Sequence, residues 1–128
     1  MVNKKAIALK ALMGAMFYCL KEVGTFDSEF TEKIKDLNIT ISWDVKDGPI
    51  GYQKLEHGNV SSGIGETIDN ADLKINITDV ETAIQLLTGR TTMEEVPDKI
   101  SMAPKEMAEK LMFILQYLRK YFSSIMGD

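Results

Sequence analysis

The hydrophobic pattern of this chain changes period at residue 37, and that change decides what it can fold into. Leu37, Ile39, Ile41, Trp43 and Val45 alternate with Asn38, Thr40, Ser42 and Asp44. A period of two, with β-branched and aromatic residues at the inward positions, is the pattern of a half-buried strand. Lys46-Asp47-Gly48-Pro49 ends it with turn chemistry. Ile50 to Leu55 reads as a second strand, closed by His57-Gly58-Asn59, and Val60 to Thr67 as a weaker third. Gly63 and Gly65 in the third permit a bulge or a close backbone approach. After a turn at Asp69-Asn70, Leu73, Ile75 and Ile77 alternate with Lys74 and Asn76 in a fourth strand, and Ile100-Ser101-Met102 is a short fifth.

Helical periodicity flanks and interrupts these strands. Asn3 to about Val23 predicts one helix, with Asn3 as N-cap and Gly24 as its stop. Asp27 to Lys35 predicts a further turn or two, capped by Asp27 or Ser28. Thr78 or Asp79 caps a helix whose Val80, Ala83, Ile84 and Leu87 share a face, and Gly89 ends it. Thr92 is expected to cap a short helix containing Met93 and Val96, stopped at Pro97. Pro104 suits the first turn of a long final helix. Its Met107, Leu111, Ile114, Leu115, Leu118 and Phe122 form one apolar stripe. The expected fold is α+β: a five-stranded, mostly antiparallel sheet covered on one face by helices. No linker interrupts residues 1–128, so one domain is expected, with its N-terminal helix at residues 1–24.

Composition narrows function. The 128 residues carry a net charge of −4, which argues against a nucleic-acid partner and gives no long-range pull toward anionic membranes. One cysteine, Cys19, and one histidine, His57, exclude an intramolecular disulfide, a cysteine-based zinc site and a multi-histidine metal centre. No cofactor is implied. The N-terminal Lys4 and Lys5 precede an apolar stretch, but Lys10 interrupts it and no small-residue cleavage site follows. Its clean run, Ala11 to Leu20, is half the length a spanning helix needs, so a cytoplasmic protein without a stable membrane anchor is expected.

Residues 71–90 carry a resemblance. Ala71-Asp72-Leu73-Lys74-Ile75-Asn76-Ile77-Thr78-Asp79, followed by Ile84-Gln85-Leu86-Leu87-Thr88-Gly89-Arg90, resembles the core of the sterol carrier protein type 2 family. Upstream, Val45-Lys46-Asp47-Gly48-Pro49 and the strand with Tyr52, Leu55, Gly58 and Val60 resemble that family's meander. The likeness covers roughly residues 35–122. It implies a non-catalytic module with an apolar tunnel between sheet and helices, holding a fatty acid, a fatty acyl group or a sterol. On that reading Ile39, Ile41, Trp43, Ile75 and Ile77 form the floor, and Met102, Met107, Leu111, Ile114 and Leu118 the roof and mouth. Arg90 or Lys99 is a candidate head-group contact. The chain departs from the family's pattern after Arg90: Met93-Glu94-Glu95-Val96 is shorter than the family's helix and lacks its aromatic, and Pro104 replaces a glycine turn.

Other chemistry reads as structural. His57 has no nucleophile or orienting group that the sequence places beside it. Cys19 lies in an apolar helix, where cysteine behaves as a small hydrophobe. Glu94-Glu95 are adjacent on a helix and do not face each other. Ser61-Ser62-Gly63-Ile64-Gly65 lacks the Gly-Lys-Ser/Thr ending of a phosphate loop. Two alternatives to lipid binding stand: a protein-interaction or dimerisation domain whose cavity is filled by its own side chains, and an acyl-thioester enzyme of hot-dog type. The first helix is apolar around nearly its whole circumference, so a homodimer through Leu12, Met16, Phe17 and Leu20 is expected.

Overall fold

A computed structural model of the chain describes residues 4–107, 109, 110, 112–117 and 121. The elements run α1 (Lys4–Phe26), α2 (Ser28–Ile34), β1 (Ile39–Val45), β2 (Ile50–Glu56), β3 (Asn59–Ile64), β4 (Leu73–Ile77), α3 (Val80–Leu87), β5 (Ile100–Ala103) and a 3₁₀ turn at Lys105–Met107. Residues 109, 110, 112–117 and 121 are helical. The expected cap at Asn3 lies outside the described residues.

The five strands make one sheet in the order β3-β2-β1-β4-β5. Hairpins join β1 to β2 and β2 to β3, both antiparallel. β4 then lies along the other side of β1 in parallel, Trp43 opposite Ile75, and β5 pairs antiparallel with β4. The mixed sheet is thus mostly antiparallel, with one parallel seam at its centre. Ile39, Ile41, Trp43 and Val45 of β1 and Leu73, Ile75 and Ile77 of β4 are all buried, while the residues between them are half-buried or exposed. One face of the sheet therefore carries the core and the other meets solvent.

The motif residues behind the family likeness hold backbone together. Asp72 accepts a hydrogen bond from the Thr40 N–H at 2.8 Å, tying the approach to β4 onto β1. Asp79 caps α3 by accepting from the Thr82 N–H at 2.7 Å. Gly89, at φ +78°, closes α3: its N–H donates to the Leu86 carbonyl and the Arg90 N–H to the Gln85 carbonyl, the paired bonds of a left-handed helix stop.

That cap predicts a pH dependence. The Thr82 N–H, with the hydroxyls of Thr82 and Thr78, holds the Asp79 carboxyl below its ordinary 3.8. A carboxylate depressed in the folded state contributes stability that is present above the unfolded value and lost as pH falls through the folded one. Asp79→Asn keeps the cap but cannot titrate. Its chemical-denaturation midpoint is therefore expected to fall less than the wild type's below pH 3.8; equal acid losses would remove Asp79 from the account.

The structure corrects three expectations. α1 runs through Gly24 to Phe26. A Cβ at Gly24 would stand 2.8 Å from Val60 Cγ2 on β3, so this glycine lets helix and sheet approach and does not stop the helix. Residues 93–95 form a turn in place of the expected short helix, with the Glu95 N–H bonded to Thr92. The apolar face of α1 is also a single broad stripe, Leu9, Met13, Met16, Phe17, Leu20, Val23 and Gly24, packed on its own chain. Met16, Phe17 and Leu20 are 3%, 4% and 0% exposed and Leu12 is half-buried against the same core, so they do not form the open face expected for a homodimer. The exposed side of α1 carries Ala11 and Ala15, which offer little surface to bury, and also Ile7 and Tyr18, 57% and 65% exposed, none of which is among the four residues named for the homodimer.

Candidate functional site

Ile39, Ile41, Trp43, Ile75 and Ile77 fall together on the buried face of β1 and β4, each at most 3% exposed. Ile114 of the helical C-terminal residues is in the same core, and Met102 and Met107 are partly buried against it. Leu111 and Leu118 lie outside the described residues. α1 enters this face through Phe17, whose ring centroid is 6.4 Å from that of Trp43. Room for the ring comes from Gly51 of β2, directly across from Trp43, where an added Cβ would meet Phe17 Cε2 at 3.1 Å and the Gly63 carbonyl at 2.8 Å.

The centre of this apolar face holds a polar residue that sequence reasoning missed. Gln53 of β2 is 1% exposed, and its Oε1 accepts from Trp43 Nε1 at 2.9 Å. Its Nε2 has no hydrogen-bond partner among the described residues. The signal was present: alternation places Gln53 two residues from inward Leu55, on the same side of the strand.

A second grouping joins α2 to the C-terminal helical residues. Phe30, fully buried, lies 5.7 Å from Phe113 and 4.6 Å from Tyr117, and Lys33 Nζ stands 5.8 and 5.6 Å from those two ring centroids. Asp27 works at both ends of this contact. One carboxylate oxygen caps α2 by accepting from the Phe30 N–H at 3.0 Å, and the other accepts from the Tyr121 hydroxyl. That bond is the main cause holding the Tyr121 phenol protonated, its pKa pushed up to about 12. Beside this cluster, Lys33, Leu37, Glu109, Lys110 and Phe113 bound an open cleft of about 450 Å³. Another, of about 440 Å³, runs along β5 and includes Met93, Pro97 and Met102. Neither cleft reaches Trp43. Arg90 is exposed beyond the end of α3, and exposed Lys99 borders a third surface cleft with Lys46 and Ile77.

His57 sits in the two-residue turn between β2 and β3, at φ +51° and followed by Gly58 at φ +83°. Its backbone N–H donates to Asn38 Oδ1 at 3.1 Å. Two successive positive φ values suit a tight hairpin, and the contribution of His57 to it is backbone. His57→Ala is accordingly expected to shift unfolding free energy by less than about 1 kcal/mol in urea titrations; a larger loss would give the imidazole a structural role. Cys19 is half-buried and burial pushes its thiol pKa up, away from thiolate reactivity. Among the described residues no three His, Cys, Asp or Glu side chains gather as metal ligands, and no helix is long and apolar enough to cross a membrane.

No family model and no curated protein matches the sequence. Among solved structures the chain is similar to Sterol Carrier Protein 2 from Yarrowia lipolytica, in its apo form, with 22% identity and a TM-score of 0.55 over 78% of this chain and 86% of that one. It is also similar to the stereoselective inverting sec-alkylsulfatase Pisa1 from Pseudomonas sp., with 17% identity and a TM-score of 0.54 over 67% of this chain. A double mutant of that enzyme matches 62% of this chain at a TM-score of 0.51 and 17% identity. This chain spans only 14% and 13% of those two sulfatase chains. At such identities the likeness is one of fold: a sterol-carrier-protein-like sheet with helices on one face.

Proposed function

We propose that the chain is a non-catalytic member of the sterol carrier protein type 2 family that holds an apolar lipid between the inner face of its sheet and its helices. The observation that carries this reading is the fold itself, matched over most of both chains by a protein named as a sterol carrier. Agreement between that likeness and the motif at residues 71–90 supports it. An apolar chain gains about 0.8 kcal/mol per buried CH₂, so roughly ten methylenes supply micromolar affinity without a specific polar contact. The ligand would be a fatty acid, an acyl group or a sterol, taken up in the cytoplasm by a single domain.

A second reading has its own support. Phe17 fills the space beside Trp43, and Phe113 and Tyr117 close over Phe30, as in an interaction domain whose cavity is filled by its own side chains. Native mass spectrometry of the purified protein separates the two. A co-purifying acyl lipid or sterol is expected. A clean apo mass that takes up no added fatty acid would favour the interaction domain.

A further inference from the structure

Gln53 presents a chemical imbalance that an apolar ligand alone would not correct. An indole N–H can only donate, so the atom that receives Trp43 Nε1 must be the amide oxygen. That settles which end of the amide is which. Among the described residues the NH₂ group, with two donors, meets no acceptor, in a side chain 1% exposed. A buried donor without a partner is costly, and buried polar groups in native proteins are nearly always satisfied. Whatever meets Nε2 must therefore offer an acceptor.

The surroundings say which kind. Gln53, Thr82 and Thr91 are the buried polar side chains among the described residues, and none is cationic. A carboxylate brought to Nε2 would be a buried anion without a counter-charge, which is disfavoured. A carbonyl, ester or hydroxyl oxygen carries no such penalty. Ile41 on β1, opposite Gln53, and Leu55 on β2 are apolar and fully buried, so the surroundings of the amide are hydrocarbon.

We infer that Gln53, held in orientation by Trp43, selects an apolar ligand carrying a neutral acceptor oxygen, which takes its hydrogen bond from Gln53 Nε2. This rests on the lipid-binding reading and adds the polar group that reading leaves open. Trp43 is the chain's one tryptophan and hydrogen-bonds the residue in question, so its fluorescence reports occupancy directly.

The test is a titration of the full chain with dodecane, dodecanol, methyl dodecanoate and dodecanoate, delivered from cyclodextrin at neutral pH. Dodecanol or methyl dodecanoate is expected to bind about tenfold more tightly than dodecane, the worth of one buried hydrogen bond. Gln53→Leu should erase that preference, so that the variant binds dodecanol and methyl dodecanoate no more tightly than it binds dodecane. Equal affinities in the wild type, or a preference that survives Gln53→Leu, would overturn the inference while leaving lipid binding intact. Dodecanoate sharing the advantage would overturn the neutral-oxygen assignment. Binding of none of the four would overturn the lipid reading and the inference together. Should Gln53→Leu fail to fold, the side-chain amide proton resonances of wild-type Gln53 decide: a downfield shift with methyl dodecanoate and none with dodecane is expected, and identical spectra would refute it.

Discussion

Phe17→Ala is expected to cost about 3–5 kcal/mol, the range for emptying an aromatic site in a packed core. Phe17 is 4% exposed, rests against the indole of Trp43 and occupies the space that Gly51 leaves open in β2. Nothing nearby can collapse easily into the vacancy, because the floor is sheet backbone. Proteins of this class hold only about 5–15 kcal/mol of net stability, so the variant should be marginal at room temperature. Phe17→Asp, which buries a charge at the same point, should not fold. Urea unfolding followed by Trp43 fluorescence measures both. A folded Phe17→Asp variant with an unchanged midpoint would place Phe17 outside the core.

Asp27→Ala should have the second-largest effect, because it removes two connections at once. Loss of the α2 cap costs about 1 kcal/mol. The hydrogen bond from the Tyr121 hydroxyl is lost in the same step, which removes one tie between α2 and the C-terminal helical residues and leaves the packing of Phe113 and Tyr117 on Phe30. Asp27→Asn separates the two, since asparagine caps as well as aspartate but is a neutral acceptor. Alkaline titration reads the second connection directly. A phenol whose folded pKa is raised contributes stability that is complete below its ordinary 10.0 and is lost as pH rises through about 12. In the wild type the Tyr121 phenol should therefore ionise late by phenolate absorbance, in a step near 12. Tyr18, whose pKa the neighbouring Glu22 also raises, keeps its own shift in either protein. Asp27→Ala should remove the step near 12, and a wild type without that step would rule out the contact.

The strands were readable from the chain because each declares itself locally. Ile39 to Val45 alternates, and Asp47, His57 and Gly58 supply the positive φ values that turn the chain between strands. Local chemistry could not reveal what depends on a distant partner. Gly24 carries the same letter whether it ends a helix or admits Val60 against one. Leu12, Met16, Phe17 and Leu20 have the same spacing whether a second subunit or the chain's own sheet covers them. The floor of the proposed site was legible, since a period of two puts Ile39, Ile41 and Trp43 on one side. Gln53 was overlooked because a lone glutamine in a strand reads as solvent-facing until its inward neighbours are counted.

The parallel seam between β1 and β4 sets the order in which the chain must assemble. β1, β2 and β3 join through neighbouring hairpins and can pair soon after they are made. β4 can be matched to β1 only after the whole meander between them has been bridged, and non-local pairing of this kind slows folding. The seam is the bottleneck, and a chain paused before it exposes the unpaired side of β1 as an edge ready to accept any other strand. Crowded synthesis should make this protein aggregate through β1, at the step before β4 arrives.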